Sequence, residues 1–429
     1  MRIDQLTLEN FKKFKRQTFT LNPGFTLLVG DNGSGKTSVL DALAVALGLW
    51  HKAAPGSGWR NILAEEIRLE PVKAGDRISF QQCLPTQVSV TGSIGEKEGL
   101  RWTRMIRVNG TRTTNAEAKD AQAAIANLVS KARAQQAPLP VLAYYGAGRA
   151  WQPTNKRQVG PVSGSKPRQL DAYRYCLDTR IREKDINDWF LFETAASATS
   201  NGRERPGYVA VKLAVLGCIP EADGLRYDAD LKEIVLSIGG SEQPFHNLSA
   251  GQRMMLALVA DIAIKAVTLN SYLLSSDQPG DIDSHAVLRQ SPGVVLIDEL
   301  DVHLHPRWQR RVTNDLKRTF PRVQFIATSH SPQVIGELAR EEIRMLEDES
   351  VAMPRRSLGI DSNRILGEVM NAEYRDRATE ALLESLFRHI QAEDFGHAKE
   401  VLKEVAAKLG HDDPEVARAE TLMSLLEDS

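Results

Sequence analysis

The stretch GDNGSGKT, residues Gly30–Thr37, matches the phosphate-binding pattern G-x-x-x-x-G-K-[ST]. The apolar run Thr26–Val29 precedes it and predicts a strand, and the apolar stretch Ser38–Leu49 follows it and predicts a buried helix. Glycines let the backbone curve so that N–H groups point at phosphate oxygens, and the start of the helix adds its positive dipole end. This context predicts a nucleotide-binding loop.

The polar residues of this loop have distinct expected roles. Lys36 is expected to reach the β- and γ-phosphates of ATP, and the Thr37 hydroxyl to hold Mg²⁺. The other candidate nucleotide-binding residues here are Asn32, Gly33, Ser34, Gly35 and Ser38. ATP and Mg²⁺ are therefore the predicted cofactors.

A second apolar run, Val294–Ile297, ends in two carboxylates, Asp298 and Glu299. Two desolvated carboxylates repel each other unless a cation lies close, so the pair indicates a metal-dependent site. Asp298 is expected to bind Mg²⁺, and Glu299 to polarise the attacking water as a general base. His330 follows a third apolar run, Val323–Ala327, and its imidazole could donate to the γ-phosphate.

Runs that are apolar at consecutive positions predict strands buried on both faces, as in a parallel sheet covered by helices. Scattered β-branched residues at about 75–115 predict antiparallel hairpins. The expected fold is an α/β P-loop head with a mostly parallel sheet, an antiparallel β subdomain, a helical insertion and a helical C-terminal tail. In the insertion we predict helices at about 168–200 and 207–218 and a strand pair at 225–238. We also predict a loop at 271–293 and two or three helices in the last ~75 residues.

These elements suggest four regions. They are an N-terminal ATPase lobe, 1–149; a mainly helical insertion, 150–246; a C-terminal ATPase lobe, 247–345; and a helical region that could dock a partner, 346–429.

The composition is that of an ordinary globular chain of 429 residues with a formal net charge of −1. The three cysteines are far apart and form no C-x-x-C pair, which favours a reducing cytoplasm over a disulfide framework. We expect neither a signal peptide nor a membrane span, because no apolar run is long enough.

A fourth motif, LSAGQ at Leu248–Gln252, precedes a long predicted helix. Ser249 is a good N-cap and Gly251 leaves the backbone open to approach. With the three motifs above, it resembles the ABC-type ATPases over about residues 1–340. The resemblance implies a homodimer or higher homo-oligomer that sandwiches two ATP molecules. It also implies that Ser249, Gly251 and Gln252 act on the ATP of the partner copy.

The N-terminal stretch LTLENFKKF, Leu6–Phe14, resembles the SMC and RecF-like branch of these ATPases. The insertion between Gly148 and Leu248 shows no sustained heptads, so no long coiled coil is expected. ABC ATPases usually carry a glutamine after the strand that here ends at Tyr144-Tyr145. Gln152 is near but is not assigned that role, and Arg149 could contact nucleotide, a partner or a surface carboxylate.

Further segments resemble the PtuA family of ATPases of the Septu anti-phage system, which is also found beside certain retrons. They are Asp298–Arg310, Phe320–Ile326, Asn187–Phe190, Asn363–Leu366 and Leu409–Glu415. The resemblance implies an ATPase that regulates a separate HNH nuclease of the PtuB type. In a retron it also implies a reverse transcriptase and its DNA as partners.

Two other functions fit the same motifs. One is a RecF- or SMC-like DNA repair ATPase without a dedicated nuclease, and the other is a clamp in which ATP is a structural ligand. A built-in TOPRIM nuclease is not expected, because the chain after His330 lacks the required acidic constellation.

Three local features leave alternatives open. Asp301, His303 and His305 could bind a metal, although the loop after a catalytic glutamate is the simpler interpretation. The basic stretch Arg149–Arg182 could contact DNA phosphates or form a solvated helix face. Apolar residues of the tail, at Leu382–Ile390, could dock a partner or form an ordinary core.

Overall fold

The computed structural model describes residues 1–52, 60–74, 77–149, 168–199, 202–274, 283–347, 350–370 and 375–427. The chain divides into two compact units, residues 1–361 and 362–429. The strands are β1 (Arg2–Phe11), β2 (Phe14–Thr20), β3 (Phe25–Val29), β4 (Leu69–Ala74), β5 (Arg77–Gln82), β6 (Thr86–Ile94), β7 (Lys97–Ile106), β8 (Val141–Tyr145), β9 (Ala222–Asp228), β10 (Glu233–Ile238), β11 (Ser241–Pro244), β12 (Gly293–Ile297), β13 (Val323–Thr328), β14 (Ile343–Glu347) and β15 (Ser350–Ala352).

The α-helices are α1 (Lys36–Leu47), α2 (Lys119–Arg133), α3 (Glu183–Ala198), α4 (Pro206–Cys218), α5 (Ala250–Leu269), α6 (Ala286–Gln290), α7 (Pro306–Thr319), α8 (Pro332–Ile335), α9 (Ser362–Glu368), α10 (Arg377–Gln391), α11 (Phe395–Leu409) and α12 (Pro414–Glu427). Within the part of the chain described above, none of them has the length and apolar character that crossing a membrane requires.

The central sheet of the first unit has the strand order β15-β14-β3-β13-β12-β8. The five strands from β14 to β8 run parallel, and β15 pairs antiparallel with β14. Every residue of β3, β8, β12 and β13 is buried, as expected for parallel strands covered on both faces. The predicted α/β fold with a mostly parallel sheet is confirmed. Because the strands are parallel, their carboxyl ends meet at one edge, where ligands of such sheets bind.

An antiparallel sheet of order β2-β1-β6-β7 packs beside the parallel sheet and confirms the predicted β subdomain. The buried amide of Gln324 in β13 joins the two sheets. It accepts a hydrogen bond from Ile3 N at 2.8 Å and donates to Ile3 O at 2.7 Å and to Asn22 O at 2.9 Å. The amide is thereby satisfied inside the core, so it orients β1 against β13 without a desolvation penalty.

The helix predicted at 168–200 is wrong in its first half. Residues 169–173 form a 3₁₀ turn, and the α-helix begins only at Glu183. The intervening segment runs along β8 instead: Tyr144 N donates to Cys176 O and Gly146 N to Thr179 O, both at 2.8 Å. These carbonyl groups satisfy the edge of the sheet, so they are not available to a helix.

Three smaller expectations also need correction. The predicted strand pair at 225–238 has a third member, because β11 adds to β10. The predicted loop at 271–293 contains the helix α6 and a 3₁₀ turn at Ser271–Leu274. Among its described residues the tail contains four helices rather than two or three, since α9 precedes the core formed by α10, α11 and α12.

Candidate functional site

The phosphate-binding loop lies between β3 and α1, and the turn between β1 and β2 packs against it. Gly35 is the N-cap of α1 and has a φ of 99°, which glycine adopts without strain. A Cβ atom at Gly35 would come within 2.5 Å of the Phe14 ring. Lys13 Nζ donates to Gly33 O at 3.0 Å. Sequence reasoning missed both contacts of this turn with the loop, although the FKKF segment that supplies them was visible.

Two loop side chains are placed for an anionic ligand. Lys36 Nζ donates to Gly30 O at 2.8 Å and to Asp31 O at 2.9 Å, and burial lowers the pKa of its amine. The Ser34 hydroxyl is buried and has no hydrogen-bond partner among the described residues. Because an unsatisfied buried hydroxyl is costly, this cradle fits a ligand that brings its own oxygen atoms.

The two predicted Mg²⁺ ligands lie together. Thr37 Oγ1 donates to Asp298 Oδ2 at 3.0 Å and to Asp298 Oδ1 at 3.2 Å, so α1 and β12 place their oxygen atoms side by side. Hydroxyl, carboxylate and phosphate oxygens are the ligands that Mg²⁺ prefers. Asp298 is also anchored to the neighbouring strand, since its N–H donates to Tyr145 O at 2.7 Å.

Thr328, at the end of β13, connects the two acidic residues. Its hydroxyl donates to Asp298 Oδ1 at 2.7 Å and accepts from Glu299 N, also at 2.7 Å. Glu299 has a φ of 49°, a left-handed conformation that a non-glycine residue adopts only when its surroundings impose it. Sequence reasoning missed Thr328, although a threonine directly after an apolar run was a usable signal.

His330 lies two residues beyond Thr328 and is half-buried. Its backbone N–H donates to Asp301 Oδ1 at 3.3 Å, which ties it to the loop after Glu299. Gln309 of α7 braces the same loop, because its amide donates to Leu304 O at 2.9 Å and to Asp301 O at 3.3 Å. His330 therefore lies at the same edge of the sheet as Asp298 and Glu299.

The possible metal site at Asp301, His303 and His305 does not form. Among the described residues, these three side chains do not meet as a group of potential ligands. His305 instead caps α7, since its Nδ1 accepts from Arg307 N at 3.3 Å.

The LSAGQ motif begins α5 with a capping box. Gln252 N donates to Ser249 Oγ at 3.3 Å, and Ser249 N donates to Gln252 Oε1 at 2.9 Å. Gly251 is buried against the loop after Glu299: a Cβ atom there would lie 2.4 Å from His303 O. Ser249 is exposed, and no hydrogen bond of the described residues joins the motif to the phosphate-binding loop.

Two tyrosines occupy the end of β8, where an ABC ATPase usually leads into its glutamine. Tyr145 donates to Asp261 Oδ2 at 2.6 Å, and Tyr144 donates to Asp41 Oδ1 at 3.2 Å. Asp41 lies one turn after Thr37 on α1 and also accepts from Lys12 Nζ at 2.5 Å. The pKa of both tyrosines is raised, first by burial and then by the neighbouring carboxylates. Gln152, the side chain of Arg149 and most of the basic stretch lie outside the described residues.

Comparisons with known proteins also indicate an ATPase. Residues 5–201 match the family model described as "AAA domain", and residues 222–336 match "AAA domain, putative AbiEii toxin, Type IV TA system". The "Retron Vc95 probable ATPase" of Vibrio cholerae is 23% identical over 81% of this chain and 74% of its own length. The "Retron Ec83 probable ATPase" of Escherichia coli is 23% identical over 90% of this chain and 79% of its own length. The "Septu protein PtuA" of Bacillus thuringiensis is 24% identical over 80% of this chain and 74% of its own length.

The phosphate-binding loop and the matches to AAA domain models define a class: the chain is an ATPase, and it resembles the SMC- and RecF-like branch of the ABC-type ATPases. Within that class it resembles the Septu protein PtuA and the retron ATPases over most of its length, as the sequence motifs predicted.

Proposed function

We propose that the chain binds ATP with Mg²⁺ at Gly30–Thr37 and hydrolyses it at the adjoining acidic pair. The chain of hydrogen bonds from Thr37 to Asp298, and from Asp298 through Thr328 to Glu299, carries this proposal. The start of α1 and the ends of β12 and β13 supply these groups, and chance seldom places two carboxyls, two hydroxyls and a phosphate-binding loop together.

In this proposal the residues of the site divide the work. Backbone N–H groups from Asn32 to Ser38 surround the phosphates, with the Ser34 hydroxyl as an additional donor. Lys36 leaves its two carbonyl partners for phosphate oxygens. Thr37 and Asp298 hold Mg²⁺, which neutralises phosphate charge when bound. Glu299 accepts a proton from the attacking water, and His330 donates to the γ-phosphate.

We infer further that two copies close over two ATP molecules. Ser249, Gly251 and Gln252 make no hydrogen bond to the phosphate-binding loop of their own chain, and Ser249 is exposed. The capping box pairs the N–H groups of Ser249 and Gln252, while the positive dipole end of α5 suits an anion. The exposed start of α5 is therefore available to the γ-phosphate held by a partner copy, which makes a homodimer the smallest complete unit.

The relatives support a role in anti-phage defence, because their names place them in retrons and in Septu. We propose that nucleotide state controls a separate HNH nuclease of the PtuB type, and in a retron also a reverse transcriptase with its DNA. The second unit, residues 362–429, is the candidate docking region. We place the protein in the cytoplasm, where its three free cysteines remain reduced.

Co-purification tests the partner. The untagged genomic neighbours are expressed with the tagged chain, and an HNH protein is expected to co-elute in a fixed ratio. Deleting residues 362–429 is expected to abolish that co-elution while the ATPase rate is retained. If no nuclease co-elutes and DNA stimulates ATP hydrolysis several-fold, the RecF-like repair function replaces this proposal.

A further inference from the structure

Three side chains that commonly bind metals meet at the turn between α10 and α11, in the second unit. The ligand atoms of His389, Asp394 and His397 all lie within 4.8 Å of one another. Asp394 Oδ2 is 2.8 Å from His397 Nδ1 and 3.3 Å from His389 Nδ1. We propose that this trio binds a single Zn²⁺ ion.

The backbone of the turn holds the three residues in this arrangement. Glu393 has a φ of 55° and ends α10 in a Schellman motif. Its N–H donates to Ile390 O at 3.1 Å, and Asp394 N donates to His389 O at 2.9 Å. The second of these bonds brings Asp394 directly against the last turn of α10. His397 follows in the first turn of α11, so the ligand geometry exists before any ion arrives.

The apolar core beneath the turn fixes the two helices. Leu386 and Ile390 of α10 and Ala398 of α11 are at most 2% exposed and belong to one cluster. His389 and His397 are each adjacent in sequence to one of these core residues, so the packing fixes the backbone positions from which their rings extend. The two rings lie 5.5 Å apart, centroid to centroid, at 24° to each other.

Helix capping accounts for only one of the two Asp394 oxygens. Oδ1 accepts from His397 N at 3.4 Å, the usual contact of an N-cap aspartate. Oδ1 also lies 3.1 Å from His397 Nδ1, and Oδ2 lies nearest to both imidazole nitrogens. A cap does not need the approach of Oδ2 to both rings, whereas a metal ion bound by all three residues does. The 3.3 Å separation matches the roughly 3.3–3.6 Å between neighbouring ligands of a tetrahedral ion whose bonds are about 2.0–2.2 Å long. The 2.8 Å separation is that of a hydrogen bond, which would lengthen when both groups bind one ion.

The ligand types decide the class of ion. Two imidazoles and one carboxylate favour Zn²⁺ and the neighbouring transition metals, while Mg²⁺ and Ca²⁺ prefer sites made only of oxygen. The His397 side chain is 68% exposed. The site is therefore open on one side, with three protein ligands and room for water or a side chain of a partner.

Metal titration of the untagged full-length chain, with Co²⁺ as the visible probe and excess Mg²⁺ to saturate the ATPase site, tests the proposal. We expect about one Co²⁺ per chain, displaced by one Zn²⁺. His397→Ala is expected to weaken binding at least about tenfold. Asp394→Asn is expected to do the same while an amide oxygen still caps α11.

His411→Ala is the matched control. His411 lies in the same unit, 3.6 Å from Glu420 and 84% exposed, but within the described residues it belongs to no group of three ligands. It is expected to leave Co²⁺ binding and the ATPase rate unchanged. Absence of Co²⁺ binding, or equal binding by wild type, His397→Ala and Asp394→Asn, would overturn the proposal.

Discussion

Thr328 shows how one hydroxyl can organise a site at the residue scale. It is fully buried, and it contacts the carboxylate of Asp298 and the backbone of Glu299 at the same time. The left-handed backbone of Glu299 is stabilised by that acceptor, so the direction of the Glu299 side chain depends on a residue 29 positions later in the chain.

We predict that Thr328→Val lowers both stability and activity. Valine has a similar volume but removes the Thr328 acceptor of Glu299 N and one of the two hydroxyl donors to Asp298, at a cost of about 1–3 kcal/mol in the free energy of unfolding. Denaturant unfolding and steady-state ATP hydrolysis measure the two effects. Thr328→Ser retains the hydroxyl and should recover most of the rate; equal loss in both variants would exclude the hydroxyl as the cause.

Glu299→Gln tests the general base. The amide keeps the size of the side chain but cannot accept a proton, so the rate of ATP hydrolysis should fall on the order of 10²–10⁴-fold. ATP binding, measured with a fluorescent analogue, should persist. Glu341→Gln is the control, because that side chain is 65% exposed. Negligible hydrolysis by the wild type as well would favour the structural clamp.

At the scale of elements, the N-terminus of α5 packs directly against the loop after Glu299. Gly251 fits against the carbonyl group of His303, and that loop continues through His305 into the cap of α7. A movement of α5 is therefore transmitted to the residues that follow the proposed general base.

Gly251→Ala tests this contact between α5 and the loop. The added methyl group would lie 2.4 Å from His303 O, so the helix and the loop must separate. We expect strongly reduced ATP hydrolysis with nucleotide affinity nearly unchanged, since the phosphate-binding loop is not touched. Gly367→Ala, where a Cβ atom meets nothing within 4 Å, is the control and should hydrolyse ATP at the wild-type rate. Wild-type hydrolysis by Gly251→Ala would refute the coupling.

The N-cap of α10 should show a defined pH dependence. Asp376 accepts from Thr379 N at 3.1 Å, from the Thr379 hydroxyl and from Lys408, and these bonds lower its pKa to about 2. The unfolded value is about 3.9. The cap therefore contributes fully above about pH 5, and its contribution is lost as pH falls toward 2.

Hydrogen exchange of the full chain measures this effect. Asp376→Ala should speed exchange in the first turn of α10 about three- to tenfold at pH 5.5. The difference in exchange rate between variant and wild type should become smaller at pH 3 and below. Asp412→Ala, an exposed aspartate between α11 and α12, should leave α10 unchanged. A difference in exchange rate that stays constant down to pH 2 would contradict the lowered pKa of Asp376.

At the scale of the whole molecule, the proposed dimer predicts complementation between two inactive variants. Lys36→Ala disables the phosphate-binding loop, and Ser249→Arg blocks the helix that should act on the partner. Each alone should be inactive. A mixture should recover about a quarter of the wild-type rate, because half of the randomly formed dimers are mixed and each contains one intact site. No recovery in a verified mixed dimer would show that the motif acts within its own chain.

Much of this architecture was predictable from local patterns. Consecutive apolar residues in Val294–Ile297 and Val323–Ala327 identified buried parallel strands, and the loop pattern located the start of α1. The segment at 168–182 was not predictable in this way, because its backbone conformation depends on hydrogen bonds to β8. The boundaries of the four predicted regions stay a prediction.

The sequence by itself determined the class of protein and the positions of the loop, the acidic pair and the LSAGQ motif, because each is a short pattern whose chemistry depends on neighbours along the chain. Only the tertiary structure decided that Thr328 joins Asp298 to Glu299, that Gly251 rests on His303, and that His389 meets His397. These contacts join residues whose partners are selected by strand order and helix packing. The first two contacts are long-range and leave no fixed spacing for a sequence pattern to reveal, while the third depends on how α11 packs on α10.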